Sequence, residues 1–366
     1  MRKDWVYKKL GEIAQRKLSY GSGASAIPFD NKTRYIRITD IDDFGNLKES
    51  IVSPNVVEDK YLLSDGDILF ARSGATVGKT FLYKERYGEC IYAGYLIRLV
   101  PNQQMVLPEY VYRYTQSHYY KSFVESNKKV VAQPNINAQQ YAALQIPLPP
   151  KSTQEAIVAE LDKLNEMIRL KKQQLEDYDQ LAQSIFYEMF GDPVENEKGW
   201  EVKKLGNVCD LKAGKAIKAS ELSNDNPYPC YGGNGIRGYI NRCSHLESSP
   251  IIGRQGAYCG TVNFAEAPFY ATEHAVVVKS KQDMQIKWLY YTLVNLKLSK
   301  YAKGQAQPGI AVSNLNELVI IPLPPLPLQQ QFAARIETIE LQKQQVKDTI
   351  KDLETLLASR MQYWFD

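Results

Sequence analysis

Two long stretches of the chain repeat apolar residues in alternating steps of four and three, and this spacing predicts one apolar seam along a helix. The seam of the first stretch consists of Ile157, Leu161, Leu164, Ile168, Lys171, Leu175, Tyr178, Ala182, Ile185 and Met189. The seam of the second consists of Phe332, Ile336, Ile339, Lys343, Val346, Ile350, Leu353, Leu357, Arg360 and Trp364. A heptad spacing of this kind is typical of a coiled coil.

Connectivity predicts that the two helices run antiparallel if they pack together. The first helix ends at Phe190-Gly-Asp-Pro193, where a second folded part begins, and the second helix ends the chain. Matching the seams end to end places Lys171 opposite Ile350 and Lys343 opposite Tyr178. Two interpretations of these lysines stay open: they extend their ammonium groups into solvent, or they fix the register of the helices.

The start of each helix is marked by an Ile-Pro-Leu-Pro-Pro segment, at residues 146–150 and 321–325. Proline restricts its own backbone and that of the residue before it, so both segments are predicted to be extended. Ser152 and Glu155 have the spacing of a capping box at the first helix. Pro327 suits the first turn of the second helix.

Outside the long helices, similar sequence segments also occur twice along the chain, in the same order, which indicates an internal duplication. The matched segments are residues 5–13 with 200–208, 72–78 with 254–260, Tyr92-Ala93 with Tyr270-Ala271, 133–136 with 307–310, and 146–150 with 321–325.

Short apolar runs separated by Gly, Asn and Pro predict an α+β fold for each copy. Residues 35–41, 67–70 and 275–278 are predicted strands, and residues 108–120 and 286–296 are predicted helices. We therefore predict two repeated α+β domains separated by an antiparallel two-helix coiled coil, with pseudo-twofold symmetry. The predicted bounds are 1–148 for the first domain, 149–192 for its helix, 193–324 for the second domain and 325–366 for its helix.

Composition narrows the class of protein only slightly. The net charge of +4 permits an anionic partner without requiring one. The 25 tyrosines suit a binding surface, although strands also favour tyrosine. Five cysteines without a C-x-x-C pair argue for reduced thiols in a cytoplasmic protein, and the spacing of Cys230, Cys243 and His245 does not match a zinc ribbon. We expect neither a membrane span nor a signal peptide.

Residues 73–80 look at first like a phosphate-binding loop, but the spacing is wrong. Three residues separate the glycine from Gly-Lys-Thr, whereas the loop needs four. The second copy has Thr261 where the lysine would stand, so the glycines are better explained as turn positions.

Other catalytic patterns also fail. His118, His245 and His274 lie far apart in the sequence, and Asn226-Pro-Tyr228 is not the signature of an adenine methyltransferase. Asp65 and Asp67 are better explained by a turn before a strand. We expect no catalytic residue, no metal site and no cofactor in this chain.

The loops favour nucleic-acid binding, because Arg, Lys, Asn and Gln are the residue types that read base edges and contact phosphates. Exposure on a solvated loop is the alternative for each of them. The predicted DNA-binding residues of the first copy are Lys17, Ser19, Tyr20, Ser22, Arg37, Arg72, Ser73, Lys128, Lys129, Gln133 and Asn135. Those of the second copy are Lys215, Lys218, Tyr231, Asn234, Arg237, Tyr239, Arg254, Gln255, Lys303, Gln305 and Gln307.

Across nearly its full length the chain resembles the specificity subunit of Type I restriction–modification systems. The resemblance rests on the duplicated Trp-x-x-Lys-Lys-Leu-Gly openings, the Asp-Gly-Asp-Ile-Leu and Arg-x-Gly-Ala segments, the helix junctions with Gln154 and Gln329, and Phe190-Gly-Asp-Pro193. It implies two target recognition domains and two spacer helices. The second recognition domain is shorter than the first, so its loops are expected to differ.

The resemblance also implies the partners: double-stranded DNA, two methyltransferase subunits and restriction subunits in the cytoplasm of a bacterium or archaeon. Methylation with S-adenosylmethionine, and cleavage with ATP and Mg²⁺, would then belong to those partners. Three alternatives stay open: a Type II system with a fused nuclease–methyltransferase, a chain that itself acts enzymatically on DNA, and a scaffold without DNA contact.

Overall fold

A computed structural model describes residues 5–42, 45–128, 135–304 and 308–365. The chain divides into two compact units, one comprising Met1–Lys171 and Thr349–Asp366, the other Lys172–Asp348. Each unit contains a globular part and one half of each long helix, because these half-helices pack into the core of that unit. The four-part division predicted from the sequence treats each helix as a part of its own, whereas the compact units divide each helix between them. In the described part of the chain, no helix is both long and apolar enough for a membrane crossing.

In the residues that the structure describes, the first unit has ten short strands and three short helices before the first long helix. Its strands are β1 (Val6–Lys9), β2 (Ser19–Tyr20), β3 (Ala26–Pro28), β4 (Arg34–Ile36), β5 (Val52–Pro54), β6 (Ile68–Ala71), β7 (Thr80–Leu82), β8 (Cys90–Tyr92), β9 (Leu96–Leu99) and β10 (Gln145–Leu148). Its helices are α1 (Pro108–Tyr114), α2 (His118–Lys128) and α3 (Ala138–Ala143), followed by α4 (Lys151–Phe190).

The second unit repeats this plan, with nine strands among its described residues. They are β11 (Glu201–Lys204), β12 (Cys209–Ala213), β13 (Tyr228–Gly232), β14 (Gly235–Ile240), β15 (Ser249–Gly253), β16 (Val262–Ala265), β17 (Tyr270–Ala271), β18 (Ala275–Ser280) and β19 (Ile320–Leu323). Its helices are α5 (Leu205–Val208), α6 (Ile286–Asn295) and α7 (Val312–Leu318), followed by α8 (Leu326–Phe365). The α+β class predicted from the sequence is confirmed.

The duplication extends to strand pairing. The main sheet of the first unit has the order β2-β9-β6-β7, and that of the second has the order β12-β18-β15-β16. In both units the opening strand pairs antiparallel with the Ile-Pro-Leu strand, with Val6 opposite Leu148 and Glu201 opposite Leu323. The first and last segments of each copy thus form one structural feature, a two-stranded ribbon that leads directly into a long helix.

One of the predicted sequence matches is wrong by one residue. In the first unit Ala93 N donates to Ile36 O at 2.9 Å and Leu96 N donates to Ala93 O. In the second, Thr272 N donates to Tyr231 O at 2.9 Å and Ala275 N donates to Thr272 O. Thr272 therefore corresponds to Ala93, and Ala271 to Tyr92. The pairing of Tyr92-Ala93 with Tyr270-Ala271 followed side-chain identity, whereas strand register is set by backbone hydrogen bonds.

Two local predictions from the sequence also need correction. The predicted strand at residues 35–41 ends at Ile36, because Ile38–Asp40 forms a 3₁₀ turn in which Asp40 accepts from the backbone N–H of Arg37. The predicted helix at 108–120 is two helices, with the break after Tyr114. The prediction for residues 286–296 is confirmed by α6.

A buried glutamine holds the start of each long helix. Gln154 Oε1 accepts from Leu107 N at 2.9 Å, and its Nε2 donates to Pro149 O at 2.9 Å. Gln329 makes the matching bonds, accepting from Gln285 N at 3.0 Å and donating to Pro324 O at 2.8 Å. The capping box predicted at Ser152 is wrong in position, since α4 begins one residue earlier at Lys151. Pro327 lies in the first turn of α8, as predicted.

Eleven of the twenty predicted seam residues are buried, and they fall in both units. In the first unit it comprises Ile157, Leu161, Leu164 and Ile168 of α4 with Ile350 and Leu353 of α8. In the second unit it comprises Ala182 of α4 with Phe332, Ile336, Ile339 and Val346 of α8. The remaining predicted seam residues are half-buried: Lys171, Leu175, Tyr178, Ile185, Met189, Lys343, Leu357, Arg360 and Trp364.

The end of α4 departs from the predicted heptads. Phe186 and Phe190 are buried more deeply than the predicted Ile185 and Met189. Besides Phe332 of α8, their rings contact the globular part: Phe186 lies 6.3 Å from Tyr291 and Phe190 lies 6.3 Å from Trp288, both on α6, centroid to centroid. The last turns of the helix therefore face the globular core of the second unit, which a two-helix pattern does not take into account.

Lys343 does not simply extend into solvent. Its ammonium group forms an ion pair with Asp179 of the opposite helix. A charge pair across the seam favours the interpretation that this lysine helps to fix the register. Asp179 lay outside the predicted seam, so only the structure could identify the partner.

Candidate nucleic-acid interface

Three of the predicted DNA-binding residues meet in the first unit. The Arg72 guanidinium lies over the ring of Tyr20, 4.7 Å from its centroid, and Arg72 Nε donates to Asn135 Oδ1 at 3.2 Å. Tyr20 is itself fixed, because its hydroxyl accepts from Ala138 N at 3.1 Å. The guanidinium is therefore held in one plane. Its two Nη nitrogens form a fork that matches paired acceptors on a guanine edge or a phosphate.

The turn that carries Arg72 is the same in both units. Arg72 O accepts from Ile136 N at 2.8 Å, and Arg254 O accepts from Ile310 N at 2.9 Å. Two residues after each arginine lies a glycine with positive φ: 69° at Gly74 and 79° at Gly256, a conformation that favours glycine. The residue predictions for Arg72 and Arg254 thus fall on equivalent backbone positions.

The surroundings of the two arginines differ. The strand register places Ala213 at the position equivalent to Tyr20. Because Ile310 matches Ile136, Gly309 stands at the position equivalent to Asn135. At these two positions the second unit therefore has neither the ring nor the amide that holds Arg72. Arg254 Nε is buried and has no hydrogen-bond partner among the described residues. Equivalent arginines are therefore presented in two different ways.

Several other predicted residues of the first unit remain compatible with DNA contact. Ser73 forms a β-bridge with Asn135 beside Arg72. Lys17 is exposed. Lys128 ends α2 and forms an ion pair with Glu125 at 2.6 Å.

Three predicted residues of the first unit have structural partners instead. Ser22 is 3% exposed, and its hydroxyl accepts from Ala24 N, so its side chain is not on the surface as predicted. Ser19 Oγ hydrogen-bonds the hydroxyl of Tyr92 at 2.9 Å. Arg37 is held by Asp40 through both Nε and Nη2. Small polar residues next to glycine indicate a loop, but they do not say which side of it faces solvent.

The second unit shows the same mixture. Tyr231 is 7% exposed and its ring lies 5.7 Å from that of Phe269, so the predicted surface position is wrong. The exposed predicted residues are Lys215, Lys218, Asn234, Arg237, Tyr239, Gln255 and Lys303. Gln255 and Lys303 both form β-bridges with Gly309, which brings them to the strand end that carries Arg254. Lys129, Gln133, Gln305 and Gln307 lie outside the described residues.

The patterns rejected as catalytic motifs have structural explanations. Residues 74–76 form a 3₁₀ turn between two paired strands, where a phosphate loop would lead into a helix. Asp67 forms a buried ion pair with Arg98.

Burial raises the pKa of the Cys90 thiol to about 11 and that of Cys209 to about 12, so neither is a thiolate at neutral pH. In the described part of the chain no three His, Cys, Asp or Glu residues stand together as metal ligands would.

Sequence reasoning missed two residues beside the arginine turns. Tyr95 O accepts from Arg72 N at 3.0 Å, and the side chain of Tyr95 is 62% exposed. His274 holds the equivalent place, since its carbonyl accepts from Arg254 N at 3.1 Å. The signal was available in the corrected alignment of the two copies, in which Tyr95 matches His274 and Gly94 matches Glu273.

Replacing Arg72 by alanine separates its two possible roles. If Arg72 contacts a base, Arg72→Ala costs roughly 1–3 kcal/mol of binding and relaxes one target position. If it contacts a phosphate, binding weakens on every sequence and the salt slope falls by about one. Affinity titrations at several salt concentrations distinguish these results. The exposed Arg86, changed to alanine, is the control for lost charge. Unchanged affinity of the Arg72 variant on every target would rule out both roles.

Comparisons with known proteins agree on one family. The model of the Type I restriction modification DNA specificity domain matches residues 2–177 and 197–355. A putative type I restriction enzyme MjaX specificity subunit of Methanocaldococcus jannaschii is 26% identical over 97% of this chain and 93% of its own length. The Type I restriction enzyme EcoprrI specificity subunit of Escherichia coli is 40% identical, but the alignment covers 40% of this chain and 37% of that protein.

Two solved structures share the fold. The S subunit of a Type I restriction-modification system from M. genitalium has a TM-score of 0.62 at 16% identity, covering all of this chain and 98% of its own. A chain from a type I R-M system, solved in work on complex assembly and conformational transition, has a TM-score of 0.60 at 20% identity, covering 99% of this chain and 97% of its own.

Proposed function

Because the chain belongs to the family of Type I restriction modification DNA specificity domains, we infer that it is a specificity subunit of such a system and reads a bipartite, asymmetric DNA target. The observation that supports two half-sites is the repeated arginine turn with different surroundings. Arg72 is held by Tyr20 and Asn135, whereas Arg254 has Ala213 and Gly309 at those places. The two arginines are equivalent hydrogen-bond donors with different neighbouring side chains, and this difference suits recognition of two different base sequences.

The proposed partners follow from the family. We propose that this chain binds two methyltransferase subunits, which use S-adenosylmethionine, and that restriction subunits, which use ATP and Mg²⁺, join them. The chain itself would be non-catalytic and would act in the cytoplasm, where bacterial and archaeal DNA lies. The relatives reported above are all Type I specificity subunits, so the Type II alternative gains no support.

We further propose that α4 and α8 set the spacing between the half-sites. Each helix has 40 residues, about 60 Å at 1.5 Å per residue. Both contribute a half to each compact unit. The interhelical ion pairs of Lys343 with Asp179 and of Arg360 with Glu160 oppose sliding of one helix along the other. A spacer that resists sliding would keep the half-site distance constant.

The purified chain tests the non-catalytic part of this proposal. Incubated with duplex DNA and labelled S-adenosylmethionine, the chain alone is expected to transfer no methyl group. Addition of its methyltransferase partner is expected to produce N6-methyladenine at a specific sequence. Methyl transfer by the chain free of partner would contradict the proposal, as would sequence-independent methylation by the complex.

A further inference from the structure

Buried polar atoms without partners are concentrated in one part of the second unit. Among the described residues, eight side-chain nitrogen or oxygen atoms are buried and lack a hydrogen-bond partner, and five of them fall between residues 254 and 274. They are Arg254 Nε, Asn263 Nδ2, Thr272 Oγ1, Glu273 Oε2 and His274 Nδ1. Unsatisfied buried groups are costly and rare in folded proteins. Their concentration beside the arginine turn points to a surface completed by a ligand.

Backbone contacts bring these residues together. Arg254 N donates to His274 O at 3.1 Å. A Cβ built on Gly233 would lie 3.3 Å from the same His274 oxygen, and one on Gly235 would lie 3.4 Å from Asn263 Oδ1. The turn between β13 and β14 therefore covers the strand ends that carry Arg254, Asn263 and His274.

Two of these side chains reach the surface. Glu273 Oε1 lies 3.2 Å from His274 Nε2, and each of the two side chains is 40% exposed. Glu273 thus has one carboxylate oxygen occupied by its neighbour and the other without a partner among the described residues. Because this second oxygen, Oε2, is buried, a donor from outside reaches it only when the partly exposed side chain turns.

The first unit lacks this acceptor. By the hydrogen-bond register, Gly94 stands where the second unit has Glu273, and Tyr95 stands where it has His274. Arg72 has its own fixed partners in Tyr20 and Asn135. At this position, among the described residues, a carboxylate therefore stands beside the arginine in the second unit and not in the first.

The hydrogen-bonding chemistry of Glu273 and Arg254 limits which base edges these two residues can recognise. A carboxylate at neutral pH only accepts hydrogen bonds, and a guanidinium only donates them. In the major groove the base donors are the exocyclic amino groups, N4 of cytosine and N6 of adenine, whereas guanine and thymine offer acceptors. Glu273 therefore matches an amino group, and Arg254 matches an acceptor on the same or the next base pair.

We propose that Glu273 determines specificity in the half-site of the second unit by accepting a hydrogen bond from an exocyclic amino group of cytosine or adenine, while Arg254 donates to a neighbouring acceptor. The proposal rests on the DNA-reading function proposed above. It adds one named contact and a difference between the two domains.

Competition binding by the complex of this chain with its methyltransferase partner tests the proposal. Duplexes carry each of the four base pairs in turn at every position of the second half-site. Glu273→Ala is expected to reduce discrimination at one position roughly 10- to 100-fold and to leave the first half-site unchanged. At that position, an analogue of cytosine or of adenine that lacks only the amino group should bind the unaltered complex as weakly as a mismatch. Whichever analogue behaves so identifies the base.

Two further variants keep the test decisive. Glu273→Gln retains the side-chain shape and one acceptor, and is expected to lower the same discrimination roughly five- to tenfold, since a charged acceptor bonds about twice as strongly as a neutral one. Glu317→Gln removes the same charge from α7 of the same unit and should change nothing. Full discrimination by folded Glu273 variants, with specific binding by the unaltered complex, would overturn this proposal alone. Absence of specific binding by the unaltered complex would overturn the DNA-reading function itself.

Discussion

Insertion of two residues after Lys172 is expected to abolish assembly of a stable chain. Two residues rotate everything that follows by about 200°. The inserted residues lie at the boundary of the two units, while α8 continues through both without a compensating change. The apolar residues of α4 in one unit must then leave their partners on α8. Each large side chain moved from core to water costs about 1.5–3 kcal/mol, so several together exceed about 5 kcal/mol, comparable with the whole stability of a domain.

Insertion of four residues at the same place is the matched control for the two-residue change. Four residues rotate the helix by one turn plus about 40° and lengthen it by ~6 Å, so the seam nearly keeps its face. This variant should stay folded and prefer a half-site spacing longer by up to about two base pairs, since B-DNA rises ~3.4 Å per pair. The Lys343–Asp179 pair opposes the required sliding, so the shift can be partial.

Thermal unfolding and methylation mapping distinguish the outcomes of these insertions. The two-residue variant should unfold at a much lower temperature than the parent chain or fail to accumulate. If instead the four-residue variant methylates only the original spacing with full efficiency, the helices do not set the distance. The methyltransferase partners would then do so.

Exchange of residues 196–323 for the corresponding part of another family member is expected to change one half of the methylated motif completely. The exchanged segment contains β11 and β19, which pair with each other, so the two-stranded ribbon moves as one piece. The first unit keeps Tyr20, Arg72 and Asn135, and its half of the motif should stay unchanged.

The reciprocal exchange of the first recognition domain is the control for this experiment. It should alter only the other half of the motif. Sequencing of methylated adenines after expression with the methyltransferase partner reads both halves in one measurement. A change in both halves from a single exchange would contradict independent recognition by the two domains.

The long helices and the duplication could be predicted from the sequence because both leave regular patterns. The alternating steps of four and three predicted the buried layers from Ile157 to Ile168 and from Phe332 to Val346. The pattern could not predict the shift toward Phe186 and Phe190. That shift comes from contact with the globular core of the second unit, and not from the second helix alone.

The candidate site was predicted less completely, because it is formed by residues far apart in the chain. Arg72 and Arg254 stood out through the repeat, but the contact of Arg72 with Tyr20 and Asn135 depends on strand pairing. Ser22 and Tyr231 have residue types that suit a surface, yet backbone geometry buries both. Glu273 was hidden by the one-residue error in matching the two copies.

We propose above all that two domains with equivalent arginine turns read two different half-sites across a helical spacer. The most direct test is a map of methylated adenines on random-sequence DNA, treated with this chain and its methyltransferase partner. We expect one motif with two specific parts of different sequence, separated by a fixed number of unspecified base pairs. A single continuous motif, or two identical half-sites in inverted order, would contradict it.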